Sequence, residues 1–100
     1  MVKRLVVWTR ISKIQLHQIL EFFKNRNKSS FYSQKLYKNF VRELNKAARQ
    51  PEIGVKTKLP QIRGLIIGDY ILFYEILPDS ILVLKVWDCR QDPDKQEIPR

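Results

Sequence analysis

The chain has 100 residues and a formal charge of +9, from nineteen Lys and Arg against ten Asp and Glu. That length carries one domain with a single core. One cysteine excludes an intrachain disulfide and a multi-cysteine metal site, and no apolar run approaches a bilayer span.

The charge favours a polyanionic partner, whether RNA, DNA or an acidic protein segment, although a solvated basic surface with no ligand would give the same excess. Met1 to Trp8 is too short and too rich in β-formers for a signal peptide, so a reducing cytoplasm is the expected compartment and no membrane partner is expected. In chain order, Val2 to Trp8 reads as a strand. Thr9 is placed to cap a helix from Arg10 to about Arg26, where Ile11, Ile14, Leu16, Ile19, Leu20, Phe22 and Phe23 fall largely at helical spacing. Asn25, Asn27 and Lys28 mark a short connection. Ser29 or Ser30 caps a second helix, with Leu36, Tyr37, Phe40, Val41, Leu44, Ala47 and Ala48 as its apolar stripe. The opposite face, with Lys35, Lys38, Asn39, Arg42 and Lys46, is basic; it reads first as solvated and only secondly as a nucleic-acid contact. Pro51 ends this helix, and two prolines and Gly54 make Pro51 to Pro60 a loop.

Leu65 to Pro93 reads as two successive β-hairpins. Gly68-Asp69 suits a tight two-residue turn, and Tyr70 to Leu77 is dense in β-branched and aromatic residues. Pro78-Asp79 sets the next turn. The last strand, Ile81 to Trp87, stops abruptly at a charged stretch from Asp88 to Pro93. The fold class is therefore α+β, in the order β-α-α-β-β-β. A helical hairpin packs on one face of a small twisted, mostly antiparallel sheet. The first strand is expected to pair inside that sheet rather than extend the meander in chain order. One domain is expected over residues 1–95, with a flexible tail over 96–100.

Several chemistries are poorly served. Gly54, Gly64 and Gly68 do not fall at phosphate-loop or dinucleotide spacing, so no cofactor is expected. His17 is the sole histidine and reads as a helix-surface residue, which leaves no His-based metal site or His pair for acid–base work. Cys89 reads as an incidental thiol beside a strand end. Asp88 and Asp92, surrounded by cations, read as ion-pairing or turn residues. What remains is a cationic and phenolic set: Lys56, Lys58, Arg63, Tyr70, Tyr74, Lys85, Arg90 and Lys95. Such groups can stabilise charge on a phosphate or stack on a base, and they can equally grip an acidic peptide. Tyr70 and Tyr74 share strand parity, so both also fit the core with their hydroxyls at its edge.

The element order, Arg63, the Gly68-Asp69-Tyr70 turn, FYEI at Phe73 to Ile76 and VWDCRQDP at Val86 to Pro93 together resemble the RelE/ParE superfamily, from Val2 to about Lys95. The resemblance implies the toxin of a type II toxin–antitoxin, or plasmid stabilisation, system. Such a toxin arrests growth unless a cognate antitoxin wraps it in a hetero-oligomer. RelE-like members cleave messenger RNA on the ribosome without a metal, whereas ParE-like members poison DNA gyrase. The ribonuclease branch usually carries an arginine directly after the tyrosine that opens the middle strand, and a histidine or tyrosine after the last strand. Here Ile71 follows Tyr70, and Trp87-Asp88-Cys89 stands at the later position. The resemblance therefore leans to gyrase inhibition, with ribosome-dependent RNA cleavage as the alternative and a non-toxic binding member as the third. If the chain is a ribonuclease, Arg63, Arg90, Lys58 and Tyr70 are its candidate catalytic residues. Lys56, Lys85, Lys95 and Trp87 are candidates for contact with RNA or a protein partner.

Overall fold

The computed structural model describes residues 3–90; Val2, Asp92, Lys95 and the expected tail lie outside the described residues. The first strand is shorter than expected: β1 spans Leu5–Trp8. Its start is tied down by Arg4, whose N–H donates to Ala48 O at 3.0 Å and whose Nε donates to Leu77 O at 2.8 Å. Thr9 caps α1, Arg10–Asn27, by accepting from Ser12 N at 3.1 Å. Asn25 and Asn27 thus lie inside the helix rather than in a connection. The chain reverses at Lys28, which adopts a left-handed conformation with φ of 52°. Helix α2 then spans Phe31–Arg49. Ser30 stands at its cap position, but it is Ser29 whose Oγ accepts from Phe31 N, at 3.2 Å.

The loop after Pro51 holds more structure than its composition suggests. A single 3-10 turn, Pro51–Ile53, leads into a two-residue strand β2, Val55–Lys56, which pairs antiparallel with Gly64 and Arg63. Two residues are too few for a period-2 pattern to register in the sequence. The remaining strands are β3 (Ile62–Ile67), β4 (Tyr70–Ile76) and β5 (Ser80–Asp88). The sheet is thus five-stranded, in the order β1-β5-β4-β3-β2, with β1 parallel to β5 and the other pairs antiparallel. Gly68, at φ of 58°, makes the tight turn between β3 and β4 that a side chain would strain.

Strand alternation divides the sheet into two faces. Tyr70, Leu72 and Tyr74 of β4 pack with Leu36, Phe40 and Leu44 of α2 in the main core. Ile62, Phe73 and Trp87 form a second cluster, on the face turned away from the helices, with Leu59, Ile71 and Leu84 beside it. A register slip on β5 sets which residues go where. Phe73 pairs with Lys85 but Tyr74 pairs with Val83, so Leu84 is the extra residue of a bulge. Beyond it, Val86 faces the core and Trp87 faces away, with Lys85 Nζ 4.9 Å from the Trp87 ring centroid.

Helix α1 departs most from its sequence pattern. Only Ser12 is buried on it; Leu16, Ile19, Leu20 and Phe23 lie against the core, while Ile11, Ile14 and Phe22 are 64%, 48% and 54% exposed. Seven apolar residues cover more of the helix circumference than the one face that meets the sheet and α2 can bury. On α2 the expected stripe holds, except that Tyr37 is exposed and Val41 half-buried.

Candidate binding site at the open edge of the last strand

Strand β1 covers β5 only from Ser80 to Val83. Past that point no described strand flanks this edge of β5, and α1 partly takes its place. Thr9 Oγ1 donates to Leu84 O at 3.3 Å, and Gln15 Oε1 accepts from Val86 N at 2.8 Å. Between α1 and this edge opens a cleft of about 460 Å³. Ile19, Phe22 and Val86 form its apolar wall; Gln18, Arg26 and Arg90 line its polar side. Arg26 stands over the Phe22 ring at 6.0 Å.

The cleft ends at a clasp built by the turn and the last strand pair. Tyr70 pairs with Asp88 across β4 and β5, and Cys89 N donates to Asp69 O at 2.7 Å, which fixes the chain as it leaves the sheet. Arg90 then folds back. Its Nε and Nη2 donate to the two Asp88 carboxylate oxygens at 2.9 and 2.8 Å, its backbone N–H donates to the first of them at 2.9 Å, and Nη2 reaches Tyr70 OH at 3.4 Å. The Arg90 hydrogen bonds hold the Asp88 carboxyl below its ordinary value, and the same carboxylate keeps Arg90 protonated. Burial pushes the Tyr70 phenol up, against the opposing pull of Arg90. Burial, with Asp88 and Asp69 nearby, also pushes the Cys89 thiol up. At neutral pH these groups are a neutral phenol and a neutral thiol, poorly suited to take a proton or attack as a nucleophile.

Arg63 is elsewhere. It pairs with Tyr74, four residues along β4 from Tyr70, which is about 13 Å at strand spacing. Its Nη1 donates to Glu52 O and Gly54 O, each at 2.9 Å, and its Nε is buried with no partner. Tyr74, fully buried, donates to Pro51 O at 2.6 Å and accepts from Gly54 N at 3.1 Å. Arg63 and Tyr74 therefore hold the Pro51–Gly54 turn against the sheet. Lys56 and Lys58 are exposed near that end. Of the candidate set, the structure gathers Tyr70, Arg90, Lys85 and Trp87 around the cleft, with Arg90 bonded to Tyr70 and Lys85 over the largely buried Trp87 ring. It does not bring Arg63 to Tyr70 or Arg90. Lys95 lies outside the described residues. Gln15, Gln18, Phe22 and Arg26 went unnoticed as site residues in the sequence. Their signal was present: with Ile11 they recur every three or four residues along one face of α1, where glutamine interrupts an apolar stripe.

Two helices on one face of a mostly antiparallel five-stranded sheet, with the first strand parallel to the last, is the architecture of the RelE/ParE superfamily. Residues 6–93 match the family described as ParE toxin of type II toxin-antitoxin system, parDE, so the chain belongs to the ParE toxin family. A chain of the chromosomal ParDE TA system from P. aeruginosa superposes with a TM-score of 0.71 over 86% of this chain and 96% of that one. At 14% identity that likeness speaks for the fold alone. No curated protein matches the chain in sequence. Among the described residues no helix is long and apolar enough to cross a membrane, and no group of three or more acidic, His or Cys side chains is gathered to hold a metal.

Proposed function

We propose that this ParE-family toxin arrests growth by binding DNA gyrase rather than by cutting messenger RNA. We further propose that its antitoxin silences it by laying an acidic, amphipathic segment in the cleft between α1 and β5. The observation that carries the first part is the placement of Arg63. A metal-free ribonuclease needs cations and proton-transfer groups converging on one phosphate. Arg63 is instead committed to two loop carbonyls, at the far end of β4 from Tyr70 and Arg90. On the face of the sheet away from the helices Ile71 packs beside the buried Phe73 and Trp87, and it stands where a charged residue would be wanted. The second part is supported by the exposed Ile11, Ile14 and Phe22 beside Arg26, Lys13 and Arg10, a surface suited to apolar anchors flanked by carboxylates.

Pulse labelling separates the targets. Minutes after the chain is induced alone, thymidine incorporation should fall before amino-acid incorporation does. An earlier collapse of amino-acid incorporation would reinstate RNA cleavage, and unaffected growth would leave a non-toxic binding member.

A further inference from the structure

The charge of this protein is not spread over it. Residues 1–49 hold twelve Lys and Arg against two Glu, whereas residues 50–100 hold seven against eight Asp and Glu. The whole net charge therefore sits on β1 and the helical hairpin, and within that layer α2 concentrates it. At about 100° per residue, Lys35, Lys38, Arg42, Lys46 and Arg49 fall within about 80° of arc, over a rise of about 21 Å. That arc lies opposite Leu36, Phe40 and Leu44, which are buried against the sheet, so it points straight to solvent. Glu43 approaches Arg42 at 3.7 Å and Lys46 at 3.0 Å. Exposed pairs of this kind contribute little and yield readily to a stronger anion.

We infer that this stripe is a docking surface for the phosphate backbone of duplex DNA. The partner follows from what the stripe contains and lacks. Each strand of duplex DNA carries a phosphate about every 3.4 Å, so a straight run of five cations over about 21 Å can lie along several successive phosphates, and counterion release rewards each contact. Only Tyr37 and the half-buried Val41, along one flank of the stripe, are apolar beside its cations, so it offers an amphipathic peptide less to bury than the exposed Ile11, Ile14 and Phe22 of α1 do. No aromatic ring stands between those cations for unpaired bases to stack on, as single strands require; Phe31 lies a turn before Lys35, and Tyr37 stands off to one side. Asn45, beside Lys46 and Arg49 in a shallow groove of about 460 Å³, adds a neutral donor suited to a phosphate oxygen. The contact reads no base sequence and stands whatever the toxin's target is. For a protein acting on a DNA-bound enzyme it would raise the local concentration on DNA.

The test uses the full-length chain made without antitoxin, a short random-sequence duplex, and fluorescence anisotropy at several salt concentrations. The wild type should bind with a Kd in the range of about 10⁻⁴ to 10⁻⁶ M near physiological salt. The double variant Lys38→Ala/Arg42→Ala should bind at least about fivefold more weakly, with a salt slope shallower by about 0.9 per lost contact. Alanine at exposed helix positions favours the helix, so the variant keeps its circular dichroism. The charge-preserving double variant Lys38→Arg/Arg42→Lys should bind as the wild type does. The pair Lys56→Ala/Lys58→Ala removes equal charge from the sheet side and should leave binding unchanged. Equal loss in both alanine doubles would reduce the effect to net charge and overturn the proposal. So would a wild type that does not bind the duplex, or an RNA hairpin of equal charge that displaces it.

Discussion

The two ends of β4 carry the same pair of residue types, an arginine and a tyrosine, and put them to opposite uses. At one end Tyr74 is fully buried and Arg63 half-buried, and their polar atoms go to backbone groups of the Pro51–Gly54 turn at 2.6 to 3.1 Å. At the other end Tyr70 meets Arg90 only at 3.4 Å, and Arg90, exposed at the rim of a cleft, is held by a carboxylate. The first end is closely packed around Gly54. The second is open and keeps its groups within reach of one. Residue type alone does not mark a site; what decides is whether the polar atoms are already committed to the backbone.

The closely packed end should break first and hardest. A Cβ on Gly54 would stand 2.6 Å from Tyr74 OH and 3.0 Å from both Arg63 Cβ and Gly64 O, so the turn cannot stay where it is. Gly54→Ala is expected to destabilise by about 3 kcal/mol, as overpacking in a closed site does, read as a lower midpoint in denaturant. Tyr74→Phe leaves Gly54 N and Pro51 O without their partner and should cost about 2 kcal/mol. Its counterpart Tyr70→Phe removes only a long contact and should cost no more than about 0.5 kcal/mol. Similar losses for the two tyrosines would erase the distinction between the ends.

The sequence revealed the frame of this contrast but not its content. Both turns of the meander were legible because Gly68-Asp69 and Pro78-Asp79 are local signals, and the shared parity of Tyr70 and Tyr74 placed both in the core. The two-residue β2 was illegible, because its pairing with Gly64 and Arg63 depends on a turn held by a tyrosine twenty residues away. The bulge at Leu84 was equally hidden, and it sets Lys85 and Trp87 on the face of the sheet away from the helices. The hydrophobic period of α1 was real but overcounted, since periodicity cannot say how much of a helix its neighbours will cover. Ile11, Ile14 and Phe22 fit the helical spacing and still face solvent, and Phe22 among them lines the cleft, which makes it the anchor a partner would bury there. Phe22→Glu should therefore leave the fold intact and weaken antitoxin binding at least about tenfold in a titration, in keeping with the loss of a central anchor.

Alkaline pH probes both ends at once. Burial raises both phenols above their ordinary 10.0, opposed at Tyr74 by the Gly54 N–H and Arg63 and at Tyr70 by Arg90. Because the folded values are raised, the stabilisation is complete below pH 10.0 and is lost as pH climbs through the folded values, where the unfolded chain has already released its protons. Denaturant midpoints measured across that range should fall in the wild type. Tyr74→Phe should flatten the fall more than Tyr70→Phe does, because ionising Tyr74 also ends its donation to Pro51 O. A flat wild-type profile would mean that neither phenol is held as tightly as the geometry requires.

The smallest effect is expected at the Arg90 clasp, and its smallness is the point. The folded Asp88 carboxyl is depressed by the hydrogen bonds from Arg90, so whatever stability the pair adds is present above the ordinary value of 3.8 and disappears as pH falls below it. Across neutral pH the pair should contribute a constant amount. That amount should be slight, because an exposed ion pair gains little over its two hydrated partners. Arg90→Ala should accordingly leave the melting temperature at pH 7 unchanged within error, and Asp88→Asn should remove any acid-side fall attributable to this carboxyl. If Arg90→Ala nevertheless weakened antitoxin binding or growth arrest, the effect would have to come from what Arg90 offers a partner at the rim of the cleft, since the fold would not have changed. A variant that melted early would instead make the clasp a second structural lock, and the two ends of β4 would differ in exposure but not in purpose.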